Sequence, residues 1–155
     1  MEEIFFRKAN FMDFFNLEKI VVDNRKNFDN PLFIKGQKPV YATWFGLKPH
    51  LKLLIHLIHP DKQVLFAEVN SVIAGVSVIS GNLIEGFFVN KEFRGHGLGK
   101  KLMFYSVDFL KKEKNFDSVA VGVQSGNILA KKFYLKLGFE EKEIKGREII
   151  LKKFF

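Results

Sequence analysis

The apolar positions along this chain change period near residue 60. Before it, the pattern is helical and broken by loops. Residues 3–8 (EIFFRK) predict a short first strand. Asn10 or Asp13 would cap a helix reaching about Val22, with Phe11, Phe14, Phe15 and Leu17 on its apolar side. Residues 24–39, rich in Asn, Asp, Pro, Gly and Lys, predict a loop. The second part of 44–58 is helical, because Leu51, Leu54, Ile55 and Ile58 recur at helical spacing and Pro60 ends the run. After residue 60 the texture is β-rich. Residues 64–69 (VLFAEV) and 72–79 (VIAGVSVI) meet at an Asn70-Ser71 turn. Gly81-Asn82 leads into a third strand over 83–89 (LIEGFFV), where Gly86 marks a bulge or a close approach. Three strands joined by short turns predict an antiparallel meander.

Beyond Val89 helices and strands alternate. Residues 98–112 predict an amphipathic helix with Leu98, Leu102, Met103, Ser106, Phe109 and Leu110 on one face. Residues 117–123 are a strand. Residues 125–137 are a helix, capped at its start and stopped by Gly138. Residues 139–144 and 148–151 close the order around a Lys145-Gly146 turn. The expectation is one mixed α/β domain over 1–155, with element order β α α β β β α β α β β.

Composition narrows the chemistry. The chain has 155 residues, 47% of them apolar, which suits one domain with a full core. The 19 phenylalanines are mostly core. There is no cysteine, so disulfides, thiolate metal sites and a cysteine nucleophile are excluded. No apolar run approaches the ~20 residues needed to span a bilayer. The start carries Glu2, Glu3, Arg7 and Lys8 instead of the apolar core of a signal peptide, so a cytoplasmic location is expected. The net charge is +8. Residues 76–155 hold 15 basic and 9 acidic side chains, against 10 and 8 in residues 1–75. This asymmetry either favours an anionic ligand in the C-terminal half or reflects a lysine-rich solvated surface. No aromatic-plus-basic motif supports nucleic-acid binding. His50, His56 and His59 lack the carboxylate company a zinc site would want, so no metal is expected.

The central feature is Arg94-Gly95-His96-Gly97-Leu98-Gly99-Lys100-Lys101, set between a strand and a helix. Glycines let the backbone approach a ligand, and the helix start offers free N–H groups and the positive dipole end to an anion. Phosphate or pyrophosphate is the natural occupant. A Walker A loop fails on spacing, and Lys101 stands where its hydroxyl residue belongs. A dinucleotide fingerprint needs G-x-G-x-x-G, whereas these glycines read G-x-G-x-G after an antiparallel meander.

The turn matches [RQ]-x-x-G-x-[GA] in full, and in this it resembles the GNAT superfamily of N-acetyltransferases. The preceding Phe87-Phe88-Val89-Asn90-Lys91-Glu92-Phe93 is similar to that family's strand end and short loop. The run from Asn127 through Ala130, Phe133 and Tyr134 to Gly138-Phe139 resembles its second signature helix, ending in YxKLGF. Residues 1–60 match in element order alone.

The resemblance implies a GNAT fold: a mixed, mostly antiparallel sheet flanked by helices, with acceptor-side elements at about 10–60 and an acetyl-CoA-binding core at about 64–140. It implies that backbone amides from Arg94, Gly95, His96, Gly97, Leu98, Gly99 and Lys100 hold the pyrophosphate. Phe88 and Val89 would pair with the pantetheine arm, and an N–H near Val89 would polarise the thioester. Asn127 is an N-cap by its position, and the resemblance adds a hydrogen bond to pantetheine. Tyr134 is the candidate acid for the leaving thiolate, the alternative being a packed core tyrosine. Glu85 is the candidate base, through water, with Glu68 behind it. The implied reaction is acetyl transfer from acetyl-CoA to a primary amine of a small molecule or amino-acid-like metabolite, by direct attack. A protein or peptide amine acetyltransferase and a non-catalytic CoA-binding regulatory module are the alternatives. Phe28, Phe33, Tyr41, Trp44 and Phe45 suit an apolar acceptor pocket or plain core packing. An edge strand near the C-terminus would allow a homodimer.

Overall fold

The computed structural model describes residues 3–13 and 59–155. The helices expected over 10–22 and 44–58 lie outside these residues, apart from a 3-10 turn at Phe11–Asp13. So do His50, His56 and the aromatic residues from Phe28 to Phe45.

Among the described residues seven strands form one sheet in the order β1-β2-β3-β4-β5-β7-β6. They are β1 (Ile4–Lys8), β2 (Lys62–Val69), β3 (Val72–Ser80), β4 (Leu83–Val89), β5 (Ser118–Gln124), β6 (Glu140–Lys145) and β7 (Glu148–Phe154). Two helices, α1 (Leu98–Glu113) and α2 (Ile128–Lys136), follow β4 and β5. The meander holds as expected: β2, β3 and β4 pair antiparallel. Asn70 and Ser71 both take positive φ, the left-handed turn that a two-residue hairpin with right-twisted strands requires. β4 and β5 pair parallel, and every other pair in the sheet is antiparallel.

Alternation along the strands builds two buried faces. On one, Leu65, Ile79, Ile84, Val119, Val121, Val123, Ile149 and Leu151 pack with Met103, Phe109 and Leu110 of α1. Ala67, Val69 and Ala74 meet Leu98 and Leu102 beside them. The buried residues of α1 are the six that helical spacing selects, Ser106 included; its Oγ donates to the Leu102 carbonyl at 2.9 Å and so is satisfied inside the core. The opposite face carries Val64, Phe66, Val76 and Val78.

Two irregularities position the site. In the β3–β4 ladder, Val78 pairs with Gly86 and Ile79 with Ile84, so Glu85 is an extra, bulged residue. The bulge expected near Gly86 is therefore present, one residue earlier. The β4–β5 pairing consists of two register positions, Leu83↔Ala120 and Ile84↔Val121. Beyond the bulge the strands part, and the rest of β4 to Val89 presents a backbone edge that β5 does not cover.

Candidate active site

The parted strands, the start of α1 and one side of α2 converge at the end of β4. A 3-10 turn at Lys91–Phe93 leads from β4 into the glycine turn. Gly95 and Gly97 have φ of 84° and 79°, in the left-handed region that a side chain would strain. Among the described residues no heavy atom lies within 4 Å of where a Cβ would stand on either. Gly97 is the N-cap of α1 and offers no side-chain cap. Lys101 N–H donates to Gly97 O at 3.1 Å, which leaves the amides from Gly95 to Lys100 without helical partners, while the Arg94 N–H is held by Lys91 O. No acidic residue sits in the first turn. These are the features of an anion cradle.

Gly99 does different work. A Cβ there would lie 3.6 Å from both Val89 Cγ2 and the Phe133 ring, an ordinary contact with no room beyond it. Its smallness brings α1, β4 and α2 together. Lys100 places its Nζ 5.6 Å from the Phe104 ring centre, while His96 is exposed.

Asn127 is the N-cap of α2: its Oδ1 accepts from Ala130 N–H at 3.0 Å. The helix starts at Ile128, so the capping role falls to Asn127 and not Ser125. With Oδ1 engaged, the side-chain NH2 is the group left to face a ligand. At the far end, Phe139 N–H donates to Tyr134 O at 3.1 Å after Gly138 stops the helix.

Tyr134 is 7% exposed. Its ring lies 5.2 Å from Phe133, 5.5 Å from Phe139 and 6.3 Å from Phe87, each edge-on. Phe87 also stacks on Phe133 at 5.9 Å. Burial pushes the phenol well above its ordinary range, so it keeps its proton at neutral pH. Phe133 and Phe139 flank Tyr134 in sequence, and Phe87 joins them only through the packing of α2 against β4.

The two candidate carboxylates differ sharply. Glu68 accepts from Arg7 Nε at 2.8 Å, and Arg7 also grips Asp13 at 2.7 and 2.8 Å. Glu68 is thus committed to a structural cluster. Glu85 lies 4.0 Å from Lys62 Nζ. Alternation puts Lys62 on the face of Val64 and Phe66, opposite the face that buries Tyr134. Glu85 and Tyr134 therefore flank the sheet from opposite sides at the place where it opens. Among the described residues no cluster of three His, Asp or Glu could hold a metal, and no helix is long and apolar enough to cross a membrane.

Comparison with known proteins agrees with this geometry. The structure is similar to that of the PaiA N-acetyltransferase of Thermoplasma acidophilum, solved with coenzyme A, with a TM-score of 0.80 at 21% identity over 99% of both chains. It also resembles a protein of Bacillus anthracis assigned as a streptothricin acetyltransferase and solved with acetyl coenzyme A. That likeness has a TM-score of 0.58 at 26% identity, over 64% of this chain and 66% of that one. An uncharacterized N-acetyltransferase of Methanocaldococcus jannaschii is 37% identical over 62 residues, which span 39% of this chain and 26% of that protein. The acetyltransferase (GNAT) family model matches residues 26–139, from ahead of the meander through both signature segments. With the open strand pair, the uncapped glycine turn and the capped second helix all in register with that match, the chain belongs to the acetyltransferase (GNAT) family.

Proposed function

We propose that this protein transfers acetyl from acetyl-CoA to a primary amine of a small molecule. The carrying observation is the uncapped start of α1, with Gly95 and Gly97 in left-handed positions, beside the edge of β4 that β5 does not pair. The first suits a pyrophosphate and the second an extended amide-bearing arm, and coenzyme A joins those two groups at the required end. The coenzyme A and acetyl-CoA bound in the two related structures support the same donor.

Acetyl-CoA supplies an activated acetyl thioester. The amides from Gly95 to Lys100 hold its phosphates, with the helix dipole adding to the attraction; the Arg94 N–H is spent on the Lys91 carbonyl. The main chain of Val89 and the Asn127 amide orient the arm; the expected Phe88 contact is not made by its main chain, which faces Val76 on β3. The N–H near Val89 points at the thioester oxygen, where negative charge develops as the amine attacks. The amine nitrogen forms the new C–N bond and the C–S bond breaks. Glu85 receives the surplus amine proton through water, and Tyr134 donates its phenolic proton to the departing sulfur. Solvent then returns the proton to Tyr134. Direct attack fits a chain without cysteine. The net positive charge disfavours polycationic acceptors and leaves monoamines and amino-acid-like amines in front.

Thermal melting with acetyl-CoA tests the donor. At about 100 times the dissociation constant, binding should add about 2.7 kcal/mol and raise the melting temperature by several degrees. An amine panel read by free thiol release then finds the acceptor. No shift at millimolar acetyl-CoA would overturn the proposal.

A further inference from the structure

Arg94 is exposed, yet its Nε donates to the Val89 carbonyl at 2.8 Å. The place of that carbonyl matters. Val89 sits opposite Gly75, and the next residue, Asn90, donates its N–H to Ala74 O on β3 at 2.8 Å. Strand alternation therefore turns the N–H and C=O of Val89 away from β3, to the edge that β5 leaves after Ile84. Left alone, this edge would present an acceptor beside the donor. Two further bonds close the loop under the guanidinium: Phe93 N–H to Asn90 O at 2.9 Å and Arg94 N–H to Lys91 O at 3.2 Å.

We propose that Arg94 is a positioning residue: its side chain clasps the Val89 carbonyl and fixes the last peptides of β4, so that the open edge meets the thioester with a donor. This rests on the acetyl-CoA reading above and adds a side-chain role for Arg94 beside the backbone amides of the turn. The clasp also removes a carbonyl dipole that would repel charge developing on the thioester oxygen. It gives a physical reason for the arginine-or-glutamine choice that opens the signature. The donating atom is Nε, the fourth atom along the side chain from Cα. Glutamine places its own amide nitrogen at that same position. Lysine has a methylene there and carries its charge one atom further out, on a group without planar geometry.

The two side-chain roles, clasp and phosphate attraction, predict opposite rescues. Arg94→Gln and Arg94→Lys are made in the full chain. Each is melted without ligand, titrated with acetyl-CoA, and assayed at saturating donor. A clasp predicts that Arg94→Gln keeps kcat within about threefold of wild type, while Arg94→Lys loses roughly tenfold or more in kcat with a smaller change in acetyl-CoA affinity. Retention by lysine with loss by glutamine would overturn the clasp in favour of phosphate attraction. Equal loss in both variants, or no loss in either, would overturn it as well. Failure of the wild-type chain to bind acetyl-CoA would remove the donor reading itself, a result separate from the pattern of rescue.

Discussion

Tyr134 combines a phenol held protonated with a wall of rings packed around it. Tyr134→Phe preserves the packing and removes the proposed acid. Its kcat should fall roughly 100-fold with the acetyl-CoA KM little changed. Unchanged turnover with a good acceptor would remove Tyr134 from the mechanism. The raised pKa also has a stability consequence. The folded state holds this proton more tightly than the unfolded chain, so the contribution is fully present below about pH 10, the ordinary tyrosine value, and is lost as pH rises above it. Tyr134→Phe should flatten the alkaline fall in stability, as followed by denaturant melts across pH. The glycines divide in the same concrete way. Gly99→Ala places a methyl in ordinary contact with Val89 and Phe133 and should fold normally, since the signature accepts either residue there. Gly97→Ala forces a side chain into φ 79° and should cost about 1–2 kcal/mol and weaken donor binding, read by melting with and without acetyl-CoA.

At the level of elements, α1 was legible because its six buried residues follow helical spacing and Gly97 marks its start. The meander was legible because its turns carry Asn-Ser and Gly-Asn between β-branched runs. Strand ends were less so. β7 runs on to Phe154 because Lys152, Lys153 and Phe154 pair with β5, a long-range partner that local pattern does not reveal. The Arg7–Asp13–Glu68 cluster escaped notice for the same reason, as its members lie up to 61 residues apart. It ties β1 and the 3-10 turn to β2. Burial raises the Asp13 carboxyl, but the Arg7 hydrogen bonds and charge outweigh that and hold it below its ordinary value. Its contribution is therefore present above about pH 4 and lost as pH falls through the depressed value. Asp13→Ala should destabilise the fold by about 2 kcal/mol in denaturant melts at pH 7.

Across the whole molecule, β6 stands at the sheet edge with all six residues exposed, five of them charged, and a bulge between Glu141 and Glu143. Charge and bulge together blunt an edge against pairing. A homodimer through a C-terminal edge would have to pair against those charges. The opposite feature is the edge of β4 beyond the Glu85 bulge, where pairing with β5 has ended at Ile84. Charge acts at this scale too. Most of the net +8 lies in residues 76–155, and Lys91, Arg94, Lys100 and Lys101 of that half are in and beside the glycine turn. Acetyl-CoA affinity should weaken several-fold between low salt and about 0.5 M, with kcat changed less, because exposed charges are screened over ~10 Å at 0.1 M.

The sequence by itself determined the class of fold, the order of elements after residue 60 and the glycine turn at the start of α1. Each is a local matter: period, turn residues and glycine spacing act within a few residues. Tertiary structure decided which groups share a place. It paired Glu68 with Arg7 and so withdrew it from chemistry, set Glu85 and Tyr134 on opposite faces, built a wall from Phe87, Phe133 and Phe139, and closed Arg94 onto Val89. These relations depend on strand register and on where β4 leaves β5. Such a register is fixed by packing between distant segments, and the spacing of residues along one chain does not carry it.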